Sequence, residues 1–254
     1  MSRTETVREG LKQVPGLVRV VRALRAARLS AIRSAEDARF LTSRLGRSRR
    51  IEAYLRTHST RRLQLGAGSN AYDGWLNTDV EDYRRKNEIV YLDARKPFPL
   101  PDNSFDVVFS EHMIEHLSYP DGRRCLAECH RVLRPGGRIR VATPSLDKLV
   151  ALYGAEPSDL QRRYTRWSID SFVEDADAYL PGFVLNNFFR DWGHRFIYDE
   201  RTLRHALEAA GFVDIEEWPV GKSSYPELAG LERHMRSAAE FNEYETLVLE
   251  ARRP

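Results

Sequence analysis

The feature that most constrains this chain is a short apolar segment, residues 62–66, that runs into Gly66-Ala67-Gly68. A second apolar segment follows and ends in Asp79. Glycine lets a backbone approach a ligand where a Cβ would clash. A carboxylate at the end of the next strand can accept hydrogen bonds from both hydroxyls of a ribose. The pattern therefore predicts a nucleoside pocket at the carboxyl edge of a parallel sheet.

Two closely spaced glycines are also typical of a plain tight turn after a buried strand, so the motifs that follow decide the matter. Leu92-Asp93-Ala94 comes next, followed by a turn and an apolar run at 99–110. A helix then ends in Pro135-Gly136-Gly137 before another strand. A dinucleotide-dependent dehydrogenase would need a third glycine that opens a long helix, and residues 69–74 do not supply one.

In this order and spacing, the motifs resemble the class I S-adenosylmethionine-dependent methyltransferases, particularly the methyltransferase type 11 group. The resemblance covers residues 61–150 well and 196–253 loosely. It implies an α/β, Rossmann-like fold with a seven-stranded, mostly parallel sheet whose last two strands form an antiparallel pair. It also implies S-adenosyl-L-methionine as cofactor. The candidate cofactor-binding residues are Leu65, Gly66, Ala67 and Gly68 for the aminocarboxypropyl end, Asp79 for the ribose, Leu92, Asp93 and Ala94 for the adenine, and Ser110 and Glu111 beneath the sulfonium.

We expect four segments along the chain. Residues 1–58 form a basic helical N-terminal extension, 59–150 the cofactor-binding core, 151–195 an insertion over the acceptor site, and 196–254 the rest of the core. About eight residues separate Gly66 from Trp75, whereas a parallel crossover usually takes a dozen or more. The first helix must therefore shrink to about a turn, and we expect the N-terminal helices to cover the sheet face it leaves bare. The predicted strands are 62–66, 75–80, 88–92, 105–110, 137–143, 212–218 and 246–250, and the helices nearest the site are 121–133 and 200–210.

Composition bounds the location and partners of the 254-residue chain. No apolar run approaches the ~20 residues of a membrane span, the start does not read as a secretory signal, and two cysteines make no disulfide framework. We therefore expect a cytoplasmic protein. Residues 1–58 contain 14 Lys and Arg against 5 Asp and Glu. This basic arm is expected to dock on the body, with contact to the inner face of a membrane or to RNA as alternatives, and no DNA partner is expected.

A cluster of polar side chains follows the fourth predicted strand. His112, Glu115 and His116 are spaced i, i+3, i+4, so a helical turn would put them on one face. Three interpretations stay open. His116, or else His112, is a general base that accepts a hydroxyl proton while Glu115 orients the ring. Alternatively, the three side chains hold Mg²⁺ or Mn²⁺ with His194 as a further ligand, or they only shape the loop.

The metal interpretation rests on a similarity to the Glu-x-x-Glu-His pattern of small-RNA 2′-O-methyltransferases. In those enzymes a metal holds a vicinal diol. This chain has His112 where the pattern has its first glutamate, which favours softer ions.

The predicted insertion combines aromatic and polar residues, which suits a sugar that stacks on a ring and hydrogen-bonds through its hydroxyls. The candidate acceptor-binding residues are Asn187, Trp192, His194 and Arg195. An ordinary helical subdomain with an aromatic core would have the same composition. We expect O-methylation of a sugar hydroxyl in a glycan, polysaccharide or glycolipid. The alternatives are an RNA ribose, a phenolic or quinone-like compound or a small metabolite as acceptor, or a non-catalytic methyltransferase-like module.

Overall fold

The computed structural model describes residues 46–80, 89–234 and 238–254. Arg47–Pro254 belong to one compact unit. The strands are β1 (Arg62–Leu65), β2 (Leu76–Asp79), β3 (Val90–Tyr91), β4 (Phe105–Glu111), β5 (Leu133–Pro144), β6 (Val213–Glu217) and β7 (Thr246–Arg252). The helices are α1 (46–57), α2 (Tyr119–Val132), α3 (Leu146–Val150), α4 (Asp159–Phe172), α5 (Pro181–Arg190), α6 (Glu200–Ala209) and α7 (Ala239–Glu245), with short 3₁₀ turns at Ile114–His116 and Ala151–Tyr153.

The strands form a single sheet in the order β3-β2-β1-β4-β5-β7-β6. β1 to β5 are parallel, and β7 runs antiparallel to both β5 and β6. The strand order reverses between β1 and β4, and open α/β sheets bind ligands outside the carboxyl ends of the strands at such a switch point. The predicted Rossmann-like fold with an antiparallel edge is confirmed.

The connection from β1 to β2 is a short loop without a helix, as its length predicts. α1 packs on the core through Ile51 and Tyr54, and the Tyr54 ring stacks on that of Phe105 with centroids 6.3 Å apart. For this reason the compact unit begins at Arg47, before the boundary predicted at residue 58. The rest of the predicted N-terminal extension, residues 1–45, lies outside the described residues, so its covering or membrane-binding role stays a prediction.

The helix α2, which leads into β5, has the amphipathic face that its sequence predicts. The Ser118 hydroxyl caps α2 by accepting a hydrogen bond from the Asp121 backbone N–H. The inward side chains include Cys125 and Cys129, which are buried free thiols, as well as Leu126. Because this face packs on the sheet, α2 holds the β4–α2 loop at the carboxyl edge.

The predicted insertion forms a helical layer with a small core of its own. Buried side chains from α3, α4 and α5 pack together, among them Leu149, Tyr164 and Val184. The two interpretations of this segment are therefore compatible, because other side chains of the same helices face the site. No helix within the described ranges is both long and apolar enough to cross a bilayer.

A segment that we call the strap, residues 219–234, crosses the sheet between β6 and α7. Arg140 of β5 holds it from inside. Its guanidinium contacts Glu232 at 2.6 Å and Glu250 at 2.5 Å, and the Arg140 and Glu232 side chains are fully buried. Because isolated buried charges are very unfavourable, this network fixes where the strap lies.

Replacing Arg140 by Met should lower the free energy of unfolding by about 3–5 kcal/mol, because two buried carboxylates then lose their counter-charge. Urea denaturation measures this change. The matched control is Arg252→Met, whose ion pair with Asp214 lies at the surface. That variant should lose less than about 1 kcal/mol. Equal losses in the two variants would contradict the role of the buried network.

A second ion pair predicts a pH dependence. Glu128 accepts hydrogen bonds from the Arg131 guanidinium, which holds the pKa of Glu128 below its usual value. A lowered folded-state pKa adds stability that is present above the unfolded value of about 4.3 and disappears as pH falls through the folded value. Glu128→Gln should therefore be about 1 kcal/mol less stable than the parent chain at pH 7. The two denaturation midpoints should converge as the pH falls and Glu128 becomes protonated; a pH-independent difference would contradict this origin.

Candidate functional site

A cavity of about 400 Å³ opens at the carboxyl edge of the sheet, beside the β1–β2 loop. Three parts of the chain supply its walls, namely the glycine loop, the segment after β4, and the insertion with the strap. The lining residues are Gln64, Gly66, Ala67, Gly68, Ser69 and Asn70, then Glu111, His112, Glu115, His116 and Pro144, and finally Phe172, Phe188, Trp192, His194, His234 and Glu245. The cavity thus lies at the topological switch point of the sheet, and polar side chains form much of its wall.

The glycine loop has the geometry that a close ligand approach requires. Gly66 and Gly68 adopt φ values of +66° and +50°, in the region that favours glycine. A Cβ on Gly66 would lie 2.6 Å from the Cβ of Met113. The Gly68 N–H donates to Oδ2 of Asp79 at 2.8 Å, so the loop and the β2 carboxylate form one unit.

Asp93, the residue predicted to contact the adenine, already has hydrogen-bond partners within the protein. Both oxygens of Asp93 accept hydrogen bonds from Arg95, at 2.8 and 3.0 Å, and this contact lowers the pKa of Asp93. Asp93 also caps the turn after β3, because its Oδ1 accepts a hydrogen bond from the Arg95 backbone N–H. Among the described residues, the cavity wall does not include Leu65, Asp79, Leu92, Asp93, Ala94 or Ser110. An adenine contact at Asp93 would have to share the carboxylate with Arg95.

Glu111 does line the cavity, and its carboxylate anchors the strap. Its oxygens accept hydrogen bonds from the backbone N–H groups of Arg233 and His234, at 2.8–3.0 Å. Burial raises the pKa of Glu111. This last residue of β4 therefore brings His234 to the site.

The cluster after β4 does not form the single helical face that its spacing predicts. His112 has φ +47°, which turns the chain before the 3₁₀ turn begins at Ile114. The three side chains consequently divide between two groups. Glu115 and His116 lie with His194, whereas His112 lies with His234 and Glu245, and the potential ligand atoms within each group are all within 4.8 Å of one another.

Glu115 links the two groups. Its side chain is fully buried, and Nδ1 of His112 lies 3.3 Å from its Oε1. Its Oε2 accepts a hydrogen bond from the Thr143 hydroxyl at 3.0 Å. Burial by itself would raise the pKa of Glu115 and lower that of His112, but their mutual attraction outweighs burial and shifts both pKa values the other way. The pair is thus a buried ion pair between the two groups.

The rings of His116 and His194 meet edge to face on the wall of the cavity, with centroids 4.9 Å apart. Nδ1 of His194 lies 2.8 Å from the carbonyl oxygen of Phe188, which requires a proton on Nδ1 and leaves Nε2 as an acceptor. Burial lowers the pKa of His194, so the ring is neutral near pH 7. This group can accept a proton.

The insertion brings two of the four predicted acceptor residues to the cavity. Trp192 and His194 line it, and the Trp192 ring meets Phe172 and Phe188 edge to face. Arg195 and Asn187 lie outside the wall. Asn187 is buried on α5, and the backbone N–H of Arg195 donates to the Glu115 carbonyl while its side chain is exposed.

Two residues of the site, His234 and Glu245, do not stand out in the sequence. The His234 ring stacks on that of His112 with centroids 3.9 Å apart. Burial and the neighbouring His112 lower the pKa of His234 to about 3. A signal for Glu245 exists, because it precedes β7 and an antiparallel strand begins at the edge where parallel strands end. The strap that carries His234 has no comparable signal.

Comparison with known proteins assigns the core of this chain. Residues 63–141 match the family model described as a methyltransferase domain. An uncharacterized 37.1 kDa protein from a Streptomyces fradiae transposon is 35% identical over 38% of this chain and 28% of its own length. A ubiquinone/menaquinone biosynthesis C-methyltransferase of Burkholderia mallei is 32% identical over 48% of this chain and 45% of its own. The matched segments thus span less than half of either relative.

A solved structure with a related description is a SAM-dependent methyltransferase from Archaeoglobus fulgidus. It is 18% identical, with a TM-score of 0.47, over 84% of this chain and 93% of its own. The fold assignment rests on the strand order described above. The family match confirms the resemblance inferred from the motifs.

The close approach at Gly66 predicts a specific loss of cofactor binding. Gly66→Ala forces the loop or Met113 to move, so the affinity for S-adenosylhomocysteine, measured by calorimetry, should fall at least tenfold. Gly74→Ala is the matched control, because Gly74 also has a positive φ but a Cβ there meets nothing within 4 Å. The control should lose about 1 kcal/mol of stability and keep its affinity. Equal affinities in both variants would contradict a role for Gly66 in cofactor binding.

Proposed function

We propose that the chain, whose residues 63–141 match the methyltransferase domain family, transfers the methyl group of S-adenosylmethionine to a hydroxyl group of a sugar. The observation that carries the proposal is the convergence of four imidazoles and an aromatic wall on one cavity beside the glycine loop. Imidazole is the side chain best suited to accept a hydroxyl proton near neutral pH. Aromatic rings suit the apolar face of a sugar.

The residues present fit the cofactor. Gly66 leaves room where a side chain would collide with Met113, and the Gly68–Asp79 unit lies next to it. Three buried carboxylates, those of Glu111, Glu115 and Glu245, face the cavity and match the positive charge of a sulfonium. When bound, the cofactor supplies an electrophilic methyl group. The groups that we assign to the cofactor are the backbone of the glycine loop and the carboxylate of Asp79.

The protein's contribution to the reaction is alignment and proton removal. The acceptor lies against Trp192, which holds the sugar ring while the hydroxyl faces the cavity. His116 accepts the hydroxyl proton as the new C–O bond forms, and His194 next to it keeps the ring in place. The insertion excludes water, so that the oxygen attacks from a fixed distance and direction.

A phenolic or quinone-like acceptor is the second candidate. The Burkholderia relative is named as a C-methyltransferase of ubiquinone and menaquinone biosynthesis. The aromatic wall of the cavity would also stack on a phenol. Transfer to carbon likewise ends in the loss of a proton, which the same imidazoles would accept.

His116→Ala should lower methyl transfer at least about 100-fold and leave cofactor affinity within threefold, because a general base contributes about 10²–10⁴ to the rate. The measurement uses labelled S-adenosylmethionine with a bacterial glycan and metabolite extract, followed by mass spectrometry of the methylated products. His205→Ala is the control, since His205 is an exposed histidine on α6. It should be as active as the parent chain.

Each other outcome of this assay has a defined meaning. A methylated phenol or quinone precursor among the products would show that the second candidate acceptor, and not the sugar, is correct. Full activity of His116→Ala would remove the general base. Cofactor binding without any methylated product would identify a non-catalytic module.

A further inference from the structure

The group formed by His112, His234 and Glu245 brings together three distant parts of the chain. His112 follows β4, His234 ends the strap and Glu245 ends α7. Their potential ligand atoms lie within 4.8 Å of one another, and all three side chains line the cavity. Two histidines and one carboxylate are a ligand set that several transition metals prefer.

Each member of this group is oriented by an outer partner, as in natural metal sites. Oε1 of Glu115 lies 3.3 Å from Nδ1 of His112, and among the described residues the buried Nε2 of the same ring has no hydrogen-bond partner. The Tyr164 hydroxyl donates to Oε2 of Glu245 at 2.5 Å. Glu111 fixes the backbone of His234. A metal at this position would displace the Nε2 proton of His112, while Nδ1 keeps its contact with the Glu115 carboxylate.

The charges around the cavity point to a cation. The carboxylates of Glu111, Glu115 and Glu245 are all buried on its wall.

We propose that His112, His234 and Glu245 bind one divalent metal ion of intermediate softness, with Zn²⁺, Mn²⁺ and Fe²⁺ as the candidates. Three protein ligands leave coordination positions open toward the cavity, where water or an oxygen of the acceptor can bind. The neighbouring group of Glu115, His116 and His194 is the poorer site. Its carboxylate already contacts the His112 ring through Oε1 and accepts a hydrogen bond from the Thr143 hydroxyl through Oε2. Glu115 therefore acts as the outer partner of this metal site.

Metal binding is testable without turnover, so the result does not depend on the identity of the acceptor. The full chain, treated with a chelator and dialysed, is titrated with Co²⁺ and followed by visible absorption, and Zn²⁺ is titrated by calorimetry. We expect one ion per chain with the spectrum of nitrogen and oxygen ligands. His234→Ala and Glu245→Gln should each weaken the affinity at least tenfold. Circular dichroism checks that both variants keep the fold.

The matched control is His194→Ala, which removes an imidazole from the other group in the same cavity. Its affinity should stay within threefold of the parent chain. Three results would overturn the proposal. They are a parent chain that binds no stoichiometric metal, a spectrum with thiolate bands from Cys125 and Cys129, and a control that loses as much affinity as His234→Ala. Tyr164→Phe offers a milder test, with an expected loss smaller than that of Glu245→Gln.

Discussion

The site depends on one fully buried carboxylate, that of Glu115. Its Oε2 accepts a hydrogen bond from the Thr143 hydroxyl of β5, and its Oε1 lies against His112. Its carbonyl oxygen accepts hydrogen bonds from the backbone N–H groups of Arg195 and Phe196. Sheet, loop and insertion are therefore joined at one residue. An anion in such surroundings is tolerated only when its partners are well placed, so the three elements have little freedom to move independently.

The sheet applies the same principle to the strap. Glu111 captures two backbone N–H groups at one end, and Arg140 pairs with Glu232 beside them. A segment without regular secondary structure is thus held as firmly as a strand, because leaving either charge unpaired would cost several kcal/mol. The edge of the sheet supplies residues around the cavity and also binds the strap, which contributes His234 to the cavity wall.

The sequence predicts the parts of the molecule that depend on local pattern. The missing first crossover helix and the positions of α2 and α6 follow from spacing and periodicity, the antiparallel last pair of strands follows from the family resemblance, and the structure agrees with each. The site is less predictable because its contacts join residues far apart in the chain. The positive φ of His112 divides a cluster that looked like one helical face. Asp93 pairs with Arg95 two residues away, a contact that competes with the expected ligand.

The antiparallel pairing of β7 has a consequence for how the chain is made. β5 lies in the middle of the finished sheet, yet its partner β7 is separated from it by about a hundred residues of chain. During synthesis, the outer side of β5 therefore stays an open strand edge while the insertion, α6 and β6 emerge from the ribosome. Open edges pair readily with other chains. The helical insertion follows β5 directly, so it is the first element to emerge while that edge is still unpaired.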